Sequence, residues 1–516
     1  MALKIYNTRT RSKERFESLH PNVVRLYTCG LTVYSQMHIG HARTYLFWDF
    51  LRRYLEYRYY QVISVVNYTD IDDRIMGRAD DETGCVDLAE SIIASFRRDC
   101  RALRIKDYSA YTRATDYIDA QVSAVAALIE RGHAYVVDGE VFYSVESFPR
   151  YGQLSGMCVH QQQAGASGRL SEDASRKRNP ADFTLWKPSG EGQPSWSTGQ
   201  PTWPSGRPGW HIECTVMATA LLGEKFDIHG GAIDNLFPHH ENEIAQAEPL
   251  CGSPWVRYWM HPEHLDLRGE KMSKSLGNVV AIPELLAQFG YDEVRWFLAS
   301  THYRTKLQFS PDLVAAAAEG YKKITRLFRR LESRLEALPD DQLNVPIAGD
   351  YATLRDEPEC LPRDRHRLVH GQYGEASTRF IDRFIAACDD DLGTPTATAA
   401  VFDYVNELNA GGIDVCEDAP SLLAVYRTLA RHLHVLGIEY PNERLYPELA
   451  VDCQPLAEAS SEQGGADVAI DRLVALRQAA RKAKQFDRAD QLRDVLSEIG
   501  VSVEDTPDGP RWSVDA

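Results

Sequence analysis

The sequence contains no CxxC pair and no run of eighteen consecutive apolar residues. Its 10 cysteines are scattered over 516 residues, and the closest two are Cys85 and Cys100. Because this spacing suits neither a disulfide scaffold nor a zinc finger, we expect most of the thiols to be reduced and inert. The opening residues, MALKIYNTRTRSKERF, lack the apolar core of a secretory signal. These absences predict a cytoplasmic protein that makes no membrane contact.

The chain is also short of positive charge. It has 57 lysines and arginines and 74 aspartates and glutamates, which gives a net charge of −17. This balance argues at first against a nucleic-acid partner. It does not exclude one, because RNA contacts depend on local basic patches rather than on the total charge. With 44% hydrophobic and 25% charged residues, the composition is typical of a globular protein large enough for several domains.

The first motif lies in the stretch 25–59. The run VRLYTCG (24–30) is apolar and β-branched, which is typical of a buried parallel strand. After a turn, apolar residues recur from Tyr45 to Leu55 at helical spacing. The HIGH motif (38–41) therefore lies where a strand leads into the N-terminus of a helix. Unpaired amide groups and the helix dipole favour an anionic phosphate there, and Gly40 lets a nucleotide approach the backbone closely.

His38 and His41 have two interpretations at this point. They stand one helical turn apart, so their imidazoles can hydrogen-bond the oxygens of one phosphate. Two histidines in the first turn of a helix are, however, more often capping or packing residues. Taken alone, the HIGH motif slightly favours the capping interpretation.

The KMSKS motif (271–275) follows much later in the chain. Lys271 and Lys274 stand in a short polar loop and can reach a triphosphate as mobile point charges. A KxSKS pattern by itself usually indicates a solvated loop. HIGH and KMSKS together, in this order and each after a strand pattern, resemble the paired signature of the class I aminoacyl-tRNA synthetases.

Between the two motifs the patterns predict further parts of a nucleotide-binding sheet. Residues 61–68 predict a second buried strand, and residues 87–105 and 115–131 predict helices. The acidic segment TDIDD (69–73) could bind a metal, although capping of the next helix is the preferred interpretation. Residues 133–204 begin with a hairpin pattern and continue rich in Gly, Pro, Gln and Ser. They indicate an insertion between two halves of the sheet rather than another βα unit.

The remainder is mostly helical by pattern. Residues 313–338 predict a long amphipathic helix whose basic residues form either a solvated face or a ridge for an RNA backbone. Further helices are predicted at 376–391, 395–410, 420–436, 467–483 and 487–499. Residues 340–375 and 451–466 have the composition of linkers. Trp512 lies in a predicted terminal strand, where it could stack an unpaired base or anchor a small sheet.

Four side chains from remote segments could share one metal ion: Cys29, Cys214, His239 and Glu243. His239 and Glu243 are four residues apart at the start of a helical pattern and hence share a face. Two thiolates, one imidazole and one carboxylate suit a tetrahedral zinc site. The spacing leaves alternatives open, because His240 competes with His239 and Cys251 competes with Cys214.

Several segments are similar to the cysteinyl-tRNA synthetase family: YTCGLTVY, NYTDIDD, RPGWHIEC, DIHGGAIDNLFPHHENEIAQ, EKMSKSLGN and GVSVEDTPDGPRW. The similarity runs along nearly the whole chain and weakens at about 156–200 and 340–375. It implies an α/β fold, namely a class I synthetase Rossmann-type parallel sheet with an inserted domain, then an α-helical bundle and a small mixed α/β C-terminal unit. The implied boundaries are 1–132 and 205–265 for the catalytic domain, 133–204 for the inserted acceptor-end domain, 266–312 for the KMSKS and stem-contact region, 313–450 for the tRNA-binding bundle and 451–516 for the anticodon-recognition unit.

The resemblance also implies roles for individual residues. One zinc ion would be bound by Cys29, Cys214, His239 and Glu243 and would hold the sulfur of the substrate. The implied catalytic residues are His38, His41, Lys271 and Lys274. The ATP site, with Mg²⁺ accompanying the nucleotide, would add Gly40, Ser273 and Ser275, and Lys274 would contact ATP most directly. The residues assigned to substrate contact are Thr69, Trp210, His229 and Asp234.

The function implied by the resemblance is ligation of cysteine to tRNA. ATP would activate L-cysteine to cysteinyl-adenylate with release of pyrophosphate, and a monomeric enzyme would then pass cysteine to the 3′ end of tRNA(Cys). Two other functions compete. A ligase of the same superfamily that joins cysteine to an amino sugar would share the catalytic half but lack the tail 313–516. A non-catalytic RNA-binding relative would not need intact HIGH, KMSKS and metal-binding residues.

Overall fold

The structure, a computed structural model, describes residues 2–79, 81–157, 176–267, 270–271, 280–343, 371–440, 442, 444–446, 466–482, 486–506 and 509–514. Residues 272–275 of the KMSKS motif lie outside these ranges, as do most of the two predicted linkers and residues 158–175 of the predicted insertion. The roles assigned to Ser273, Lys274 and Ser275 therefore stay predictions. Lys271 is described through its main chain alone.

The strands of the described residues are numbered in chain order. They are β1 (Lys4–Asn7), β2 (Ser12–Arg15), β3 (Val23–Thr32), β4 (Gln61–Thr69), β5 (Ala110–Arg113), β6 (Ala134–Val137), β7 (Glu140–Tyr143), β8 (Phe183–Lys187), β9 (Trp196–Ser197), β10 (Ser205–Pro208), β11 (Phe226–Gly230), β12 (Val256–Met260), β13 (Leu265–Leu267), β14 (Glu270–Lys271), β15 (Leu307–Phe309), β16 (Val501–Thr506) and β17 (Gly509–Val514).

The central sheet is parallel and has the strand order β12-β11-β3-β4-β5. In chain order this is a doubly wound Rossmann-type arrangement, in which winding proceeds outward from β3 to one side and then, from β11, to the other. The predicted strands at 24–30 and 61–68 are confirmed as β3 and β4, which are buried over nearly their whole lengths because helices cover both faces. Strand β5 was not predicted, since four residues at a sheet edge carry little periodicity.

The helices of the described residues are also numbered in chain order. They are α1 (Ile39–Tyr57), α2 (Asp73–Met76), α3 (Glu82–Ala102), α4 (Ile118–Glu130), α5 (Trp210–Leu222), α6 (Ile233–Asn235), α7 (Glu241–Cys251), α8 (Ile282–Leu286), α9 (Tyr291–Ala299), α10 (Pro311–Glu336), α11 (Asp340–Leu343), α12 (Gly374–Asp389), α13 (Thr394–Ala410), α14 (Ala419–Val435), α15 (Ala466–Lys482) and α16 (Phe486–Glu498). Short helical turns lie at Ala114–Tyr117, Val145–Ser147, Leu236–His240 and Ile413–Val415.

Most predicted helices are present, with shifted ends. Helix α3 begins at Glu82 rather than at residue 87, because Asp81 caps it by accepting a hydrogen bond from the Gly84 N–H at 2.8 Å. Asp72 caps α2 in the same way, through the Arg74 N–H at 2.8 Å. The capping interpretation of the acidic segment 69–73 is therefore confirmed for Asp72.

A separate antiparallel sheet of order β6-β7-β8-β10-β9 is formed by the region predicted as an insertion together with β10, which lies just beyond the predicted end of the insertion at residue 204. The predicted hairpin is confirmed as β6 and β7, which pair from Ala134–Tyr143 to Val137–Glu140. The two indoles of Trp186 and Trp203 are buried, with ring centroids 5.7 Å apart. This sheet therefore has apolar packing of its own and is not merely a surface loop.

The helical bundle (α10 and α12–α14) packs on α1 in one continuous apolar core. Helix α10 turns an apolar stripe inward, as its pattern predicted. Some of its basic residues bond other residues of the chain. Lys322 pairs with Glu319, and Arg334 donates a hydrogen bond to the Ile413 carbonyl at 2.8 Å. None of the described helices is both long enough and apolar enough to cross a membrane.

The last helices and the β16–β17 hairpin pack against the central sheet and its helices. Arg25, near the start of β3, donates to Glu498 at 2.9 Å, and apolar residues of α15 and α16 join the core around α5 and β11. Trp512 donates its indole N–H to Asp471 at 2.6 Å. This contact agrees with the interpretation that Trp512 anchors a small sheet, and it does not test base stacking.

Candidate functional site

The candidate site lies where the winding of the central sheet reverses, between β3 and β11. These strands pair in parallel, with His229 opposite Tyr27 and Gly230 opposite Thr28. Their carboxyl ends therefore meet at the same edge, beside the end of β4 at Thr69. In doubly wound sheets, ligands bind in the crevice at this edge. The edge is where the sequence placed Cys29 and the HIGH motif.

Four side chains converge there from four different elements: Cys29 of β3, Cys214 of α5, His239 of the turn Leu236–His240 and Glu243 of α7. One ligand atom from each lies within 4.8 Å of every other. The Cys29 Sγ is 3.8 Å from the Cys214 Sγ and 3.7 Å from the Glu243 Oε1. The His239 Nε2 is 3.0 Å from the same Glu243 oxygen. The structure thus brings together all four predicted ligands.

These distances and the donor set fit a tetrahedral metal ion. Zinc–ligand bonds of about 2.0–2.3 Å place the ligand atoms roughly 3.3–3.8 Å from one another. The two distances from the Cys29 sulfur lie in this range, and the distance between His239 and Glu243 is slightly shorter. All four residues are buried, with Glu243 fully inaccessible. Burial raises the pKa of the Cys29 and Cys214 thiols, and it raises the pKa of Glu243 to about 7 although His239 opposes that shift. A divalent cation would reverse this balance by stabilising the thiolates and the carboxylate.

A second set of donors shares two members with the first: Cys29, His229, His240 and Glu243. The His240 Nε2 is 3.2 Å from the Cys29 Sγ, and the His229 Nε2 is 2.8 Å from the Glu243 Oε2. Both His239 and His240 therefore lie close enough to Cys29 and Glu243 to act as ligands, so the two alternatives that the sequence left open are both present in the structure. Cys251, by contrast, belongs to neither set within the described residues.

Further aromatic side chains surround the cluster. The Trp210 ring stacks on His239 at 4.1 Å between centroids, and the His211 Nδ1 lies 2.9 Å from the His239 Nδ1. On the other side, the His240 Nδ1 lies 2.7 Å from the His261 Nε2. Partners of this kind fix the orientation and tautomer of a ligating imidazole.

His211 and His261 were not predicted as site residues. Their signal is compositional, because six of the sixteen histidines fall in one short region: His211, His229, His239, His240, His261 and His264. The density of histidine in that region indicates a shared site, but it does not identify which imidazoles would face a metal.

The HIGH motif lies at the start of α1, as predicted. The His38 Nδ1 accepts hydrogen bonds from the Gly40 and His41 N–H groups, at 3.1 and 3.4 Å. The His41 Nδ1 accepts one from the His38 N–H at 3.4 Å, and the two rings stack 3.7 Å apart. The structure therefore shows the reciprocal capping that the sequence slightly favoured. Capping holds both imidazoles rigidly at the positive end of the helix, so it is compatible with a phosphate contact.

The segment that follows KMSKS touches the HIGH motif directly. The Ile39 N–H donates to the Val280 carbonyl at 3.1 Å, and His38 forms a bridge with Ala281. At the first residue of the motif, the main chain of Lys271 pairs with that of Asp266 in the preceding strand β13. The described residues on the C-terminal side of the KMSKS motif thus lie against the N-terminus of α1.

The residues predicted for substrate contact lie in different surroundings. Trp210 and His229 contact the four-residue cluster, through His239 and Glu243 respectively. Thr69 is buried at the end of β4, where its hydroxyl accepts from the Asn67 side chain at 3.3 Å. Asp234 pairs with His264 at 2.6 Å.

Sequence profiles of known families match three parts of the chain. The profile for the tRNA synthetases class I (C) catalytic domain matches residues 15–319. The DALR domain matches residues 383–440, and the cysteinyl-tRNA ligase anticodon binding domain matches residues 464–512.

Relatives match along the whole chain. A protein of Symbiobacterium thermophilum named "Cysteine--tRNA ligase" is 40% identical over 517 residues, which cover 99% of each chain. One of the same name from Gloeothece citriformis is 41% identical over 525 residues, again covering 99% of each. A third, from Pelobacter propionicus, is 39% identical and covers 100% of both chains.

Two solved structures share the fold at low sequence identity. The methionyl-tRNA synthetase of Mycobacterium tuberculosis in complex with methionyl-adenylate superposes with a TM-score of 0.55 and 15% identity, covering 86% of this chain and 99% of that one. The LeuRS of Agrobacterium radiobacter K84, in a ternary complex with tRNA and LeuAMS, gives a TM-score of 0.55 and 13% identity, covering 87% of each chain.

Proposed function

This chain belongs to the cysteine–tRNA ligase family of class I aminoacyl-tRNA synthetases, and from that membership we propose that it uses ATP to join L-cysteine to tRNA(Cys). The observation that carries the proposal is the buried cluster of two thiols, an imidazole and a carboxyl at the switch point of the sheet. A site for a thiophilic metal at the ligand-binding edge fits an amino acid that is recognised by its sulfur.

We propose that Cys29, Cys214, His239 and Glu243 hold one zinc ion. When bound there, zinc would lower the pKa of the substrate thiol and take its thiolate as a ligand, for which a serine hydroxyl is a poor substitute. Packing alone discriminates a single small group only about 10–200-fold. Recognition of the sulfur at this cluster would therefore make a separate editing domain unnecessary.

The second donor set supports a role for His229 and His240 in orienting the proposed ligands. His229 bonds Glu243, and His240 bonds Cys29, so each orients a proposed ligand. His229 lies one residue from the carboxyl end of β11, beside the proposed ligands, and we propose that it contacts the substrate together with Trp210, Thr69 and Asp234. Trp210 would shield the imidazole of His239 from water by stacking on it.

In the first step, the carboxylate of cysteine would attack the α-phosphorus of ATP, giving cysteinyl-adenylate and pyrophosphate. The protein contributes positioning and charge neutralisation rather than covalent chemistry. His38 and His41, with Gly40 between them, would contact the α-phosphate region at the N-terminus of α1. Lys271 and Lys274 would neutralise the charge on the β- and γ-phosphates, Ser273 and Ser275 would belong to the same ATP site, and Mg²⁺ would accompany the nucleotide.

In the second step, the acyl group would pass to the terminal ribose of tRNA(Cys). We propose that residues 133–204 hold the acceptor end, that residues 266–312 contact the stem, that the bundle at 313–450 binds the body of the tRNA and that residues 451–516 read the anticodon. The matches to the DALR and anticodon-binding profiles support the last two assignments. A monomer in the cytoplasm remains our prediction.

Cysteine-dependent exchange of pyrophosphate into ATP tests this function. We expect exchange with cysteine, little with serine, and its loss after zinc chelation with recovery when zinc is returned. Exchange followed by acylation of tRNA(Cys) would support the full proposal. Exchange without acylation would instead favour an amino-sugar ligase, and no exchange with intact zinc would favour a non-catalytic RNA-binding protein.

A further inference from the structure

Four buried charged side chains connect the HIGH helix α1 to the helical bundle, and we call them the α1 charge cluster: Asp49, Arg53, Arg295 and Glu439. The Asp49 Oδ2 accepts hydrogen bonds from the Arg53 Nε at 2.8 Å and from the Arg295 Nη2 at 2.7 Å. The Arg53 Nη2 donates to the Glu439 Oε1 at 2.8 Å. Each of the four is at most 8% exposed. Two cations and two anions are thus paired in an apolar interior.

The cluster joins segments that are far apart in the chain. Asp49 and Arg53 belong to α1, Arg295 to α9, and Glu439 follows the last helix of the bundle. Arg295 also donates to the carbonyls of Leu103 and Arg104, at 2.7 and 2.6 Å. The cluster is therefore the meeting point of the HIGH helix, the end of α3 and the bundle.

One glycine allows this close approach. Gly437 has a φ of +75°, and a Cβ placed on it would lie 1.6 Å from the Arg295 Nη1. A larger residue at that position would displace the guanidinium. The main chain after α14 therefore lies directly against the Arg295 guanidinium. This close contact fixes the distance between the bundle and α9.

Charge pairing at this depth specifies geometry more than it adds stability. An apolar group of similar volume often stabilises a fold as well as a buried ion pair does, whereas an unpaired buried charge is strongly destabilising. Burial alone would raise the pKa of Asp49, but Arg53 and Arg295 lower it to about 2. The bundle can therefore sit on α1 in only one register without leaving a buried charge unpaired.

The register of the bundle on α1 bears on the proposed function, because α1 also carries the HIGH motif. The helix begins at the HIGH motif and reaches Asp49 after eleven residues, or about 17 Å of continuous helix. Its C-terminal half faces the bundle, where the Tyr54 hydroxyl donates to Asp389 at 2.6 Å. The segment matching the DALR domain ends at residue 440, next to Glu439. One rigid helix thus connects the proposed nucleotide site to the proposed tRNA-binding bundle.

We propose that Arg53 and Glu439 are positioning residues. They fix how the helical bundle packs on the HIGH helix α1, so that tRNA held by the bundle presents its acceptor end to the adenylate. This inference rests on the proposed function, because it concerns the second step of that reaction. It predicts that the tRNA-dependent step needs the Arg53–Glu439 pair and that the adenylation step does not.

The test compares three variants of the full chain with the wild type. Glu439→Gln keeps the shape and removes the charge. The double variant Arg53→Met with Glu439→Met removes both charges and leaves Asp49 paired with Arg295, so it is expected to recover thermal stability. Asp403→Asn is the matched control, because it breaks an exposed ion pair of the bundle, with Arg383 at 2.6 Å, that does not touch α1.

We expect Glu439→Gln to lower kcat/KM for tRNA about tenfold, while cysteine-dependent pyrophosphate exchange stays within about twofold of the wild type. The double variant should regain its melting temperature but not its acylation of tRNA, and Asp403→Asn should match the wild type in all three measurements. A double variant that recovers acylation together with stability would show that the pair serves folding alone and would overturn the inference. An equal loss of exchange and acylation would also overturn it. Absence of exchange in the wild type would refute the proposed function, and this inference with it.

Discussion

The sulfur atoms of Cys29 and Cys214 lie 3.8 Å apart, although 185 residues separate the two cysteines in the chain. Both thiols are free and buried. The separation is too long for a disulfide and matches the edge of a tetrahedron around a zinc ion. The proposed recognition of cysteine depends on this pair of thiols.

Replacement of Cys214 by serine should abolish zinc binding and cysteine binding together. A serine hydroxyl is a harder and much less acidic ligand than a thiol, so the site would lose one of its two sulfur ligands. Zinc content by elemental analysis and cysteine affinity by equilibrium dialysis would measure the two effects. Cys251→Ser is the control, because Cys251 lies outside the cluster and should behave as the wild type. Tight cysteine binding by a metal-free Cys214→Ser protein would contradict the proposed site.

His239→Ala and His240→Ala distinguish the two donor sets. If His239 is the ligand, its loss should empty the site, whereas loss of His240 removes only an outer partner of Cys29 and should weaken zinc binding about 10–100-fold. Competition with a chromophoric chelator gives both affinities. The opposite order of effects would assign the metal to Cys29, His229, His240 and Glu243 instead.

Lys274→Ala should lower adenylate formation by roughly 10²–10³-fold, as expected for the loss of one donor to a developing charge. The measurement is cysteine-dependent pyrophosphate exchange at saturating substrates. Lys225→Ala removes an exposed lysine far from the KMSKS motif in sequence and serves as the control. Near-normal exchange by the Lys274→Ala protein would refute the role of this lysine.

Gly30→Ala should both destabilise the fold and disturb the proposed zinc site. A Cβ at Gly30 would lie 1.6 Å from the Asn67 carbonyl oxygen on the neighbouring strand, so β3 and β4 would have to separate beside Cys29. We expect a cost of about 1–3 kcal/mol in the free energy of unfolding, together with reduced zinc content. Gly77→Ala is the milder comparison, since its Cβ would come no nearer than 3.2 Å to another atom. Unchanged stability of the Gly30→Ala protein would mean that this strand contact is not as tight as described.

The acid sensitivity of the fold should depend in part on Asp49. Arg53 and Arg295 outweigh burial and hold its pKa at about 2, below the value of about 3.9 in an unfolded chain. Because the folded pKa is the lower one, the stabilisation is complete above about pH 5 and is lost as the pH falls towards 2, and it amounts to about 2.6 kcal/mol.

Chemical unfolding of wild type and Asp49→Asn at several pH values tests this dependence. The difference in unfolding free energy between the two proteins should be largest near neutral pH and should shrink below pH 4. Asp403→Asn, which breaks an exposed pair, is expected to change stability by less than about 1 kcal/mol at any pH. A difference that stayed constant down to the lowest pH would show that Asp49 is not stabilised by its arginines.

Much of the site was predictable because short motifs carry their own local structure. The run 24–30 forms a strand and the pattern after His38 forms a helix, since the periodicity of apolar residues follows directly from strand and helix geometry. Capping by His38 and by Asp72 is equally local. The boundary of α3 was missed because its first turn is stabilised by a cap rather than by an apolar pattern.

The choice among donors could not be made from the residues alone. His239 and His240 are neighbours in sequence, and only their packing, on Trp210 in one case and beside His261 in the other, shows what each one faces. The same holds for the α1 charge cluster, whose members look like ordinary surface charges in the sequence. Their burial depends on how the bundle sits on α1.

Most strands and helices, the two signature motifs and the family could be recognised from the order of the amino acids, because apolar periodicity, turn residues and short motifs lie within a few residues of one another. Strand β5 and the first turn of α3 could not be recognised in this way. Only the folded chain shows which thiols meet, which histidine stacks on Trp210, and that Arg53 bonds Glu439 although the two are 386 positions apart. These side chains converge because whole helices and strands pack together, and the distance between residues along the chain carries no record of that packing.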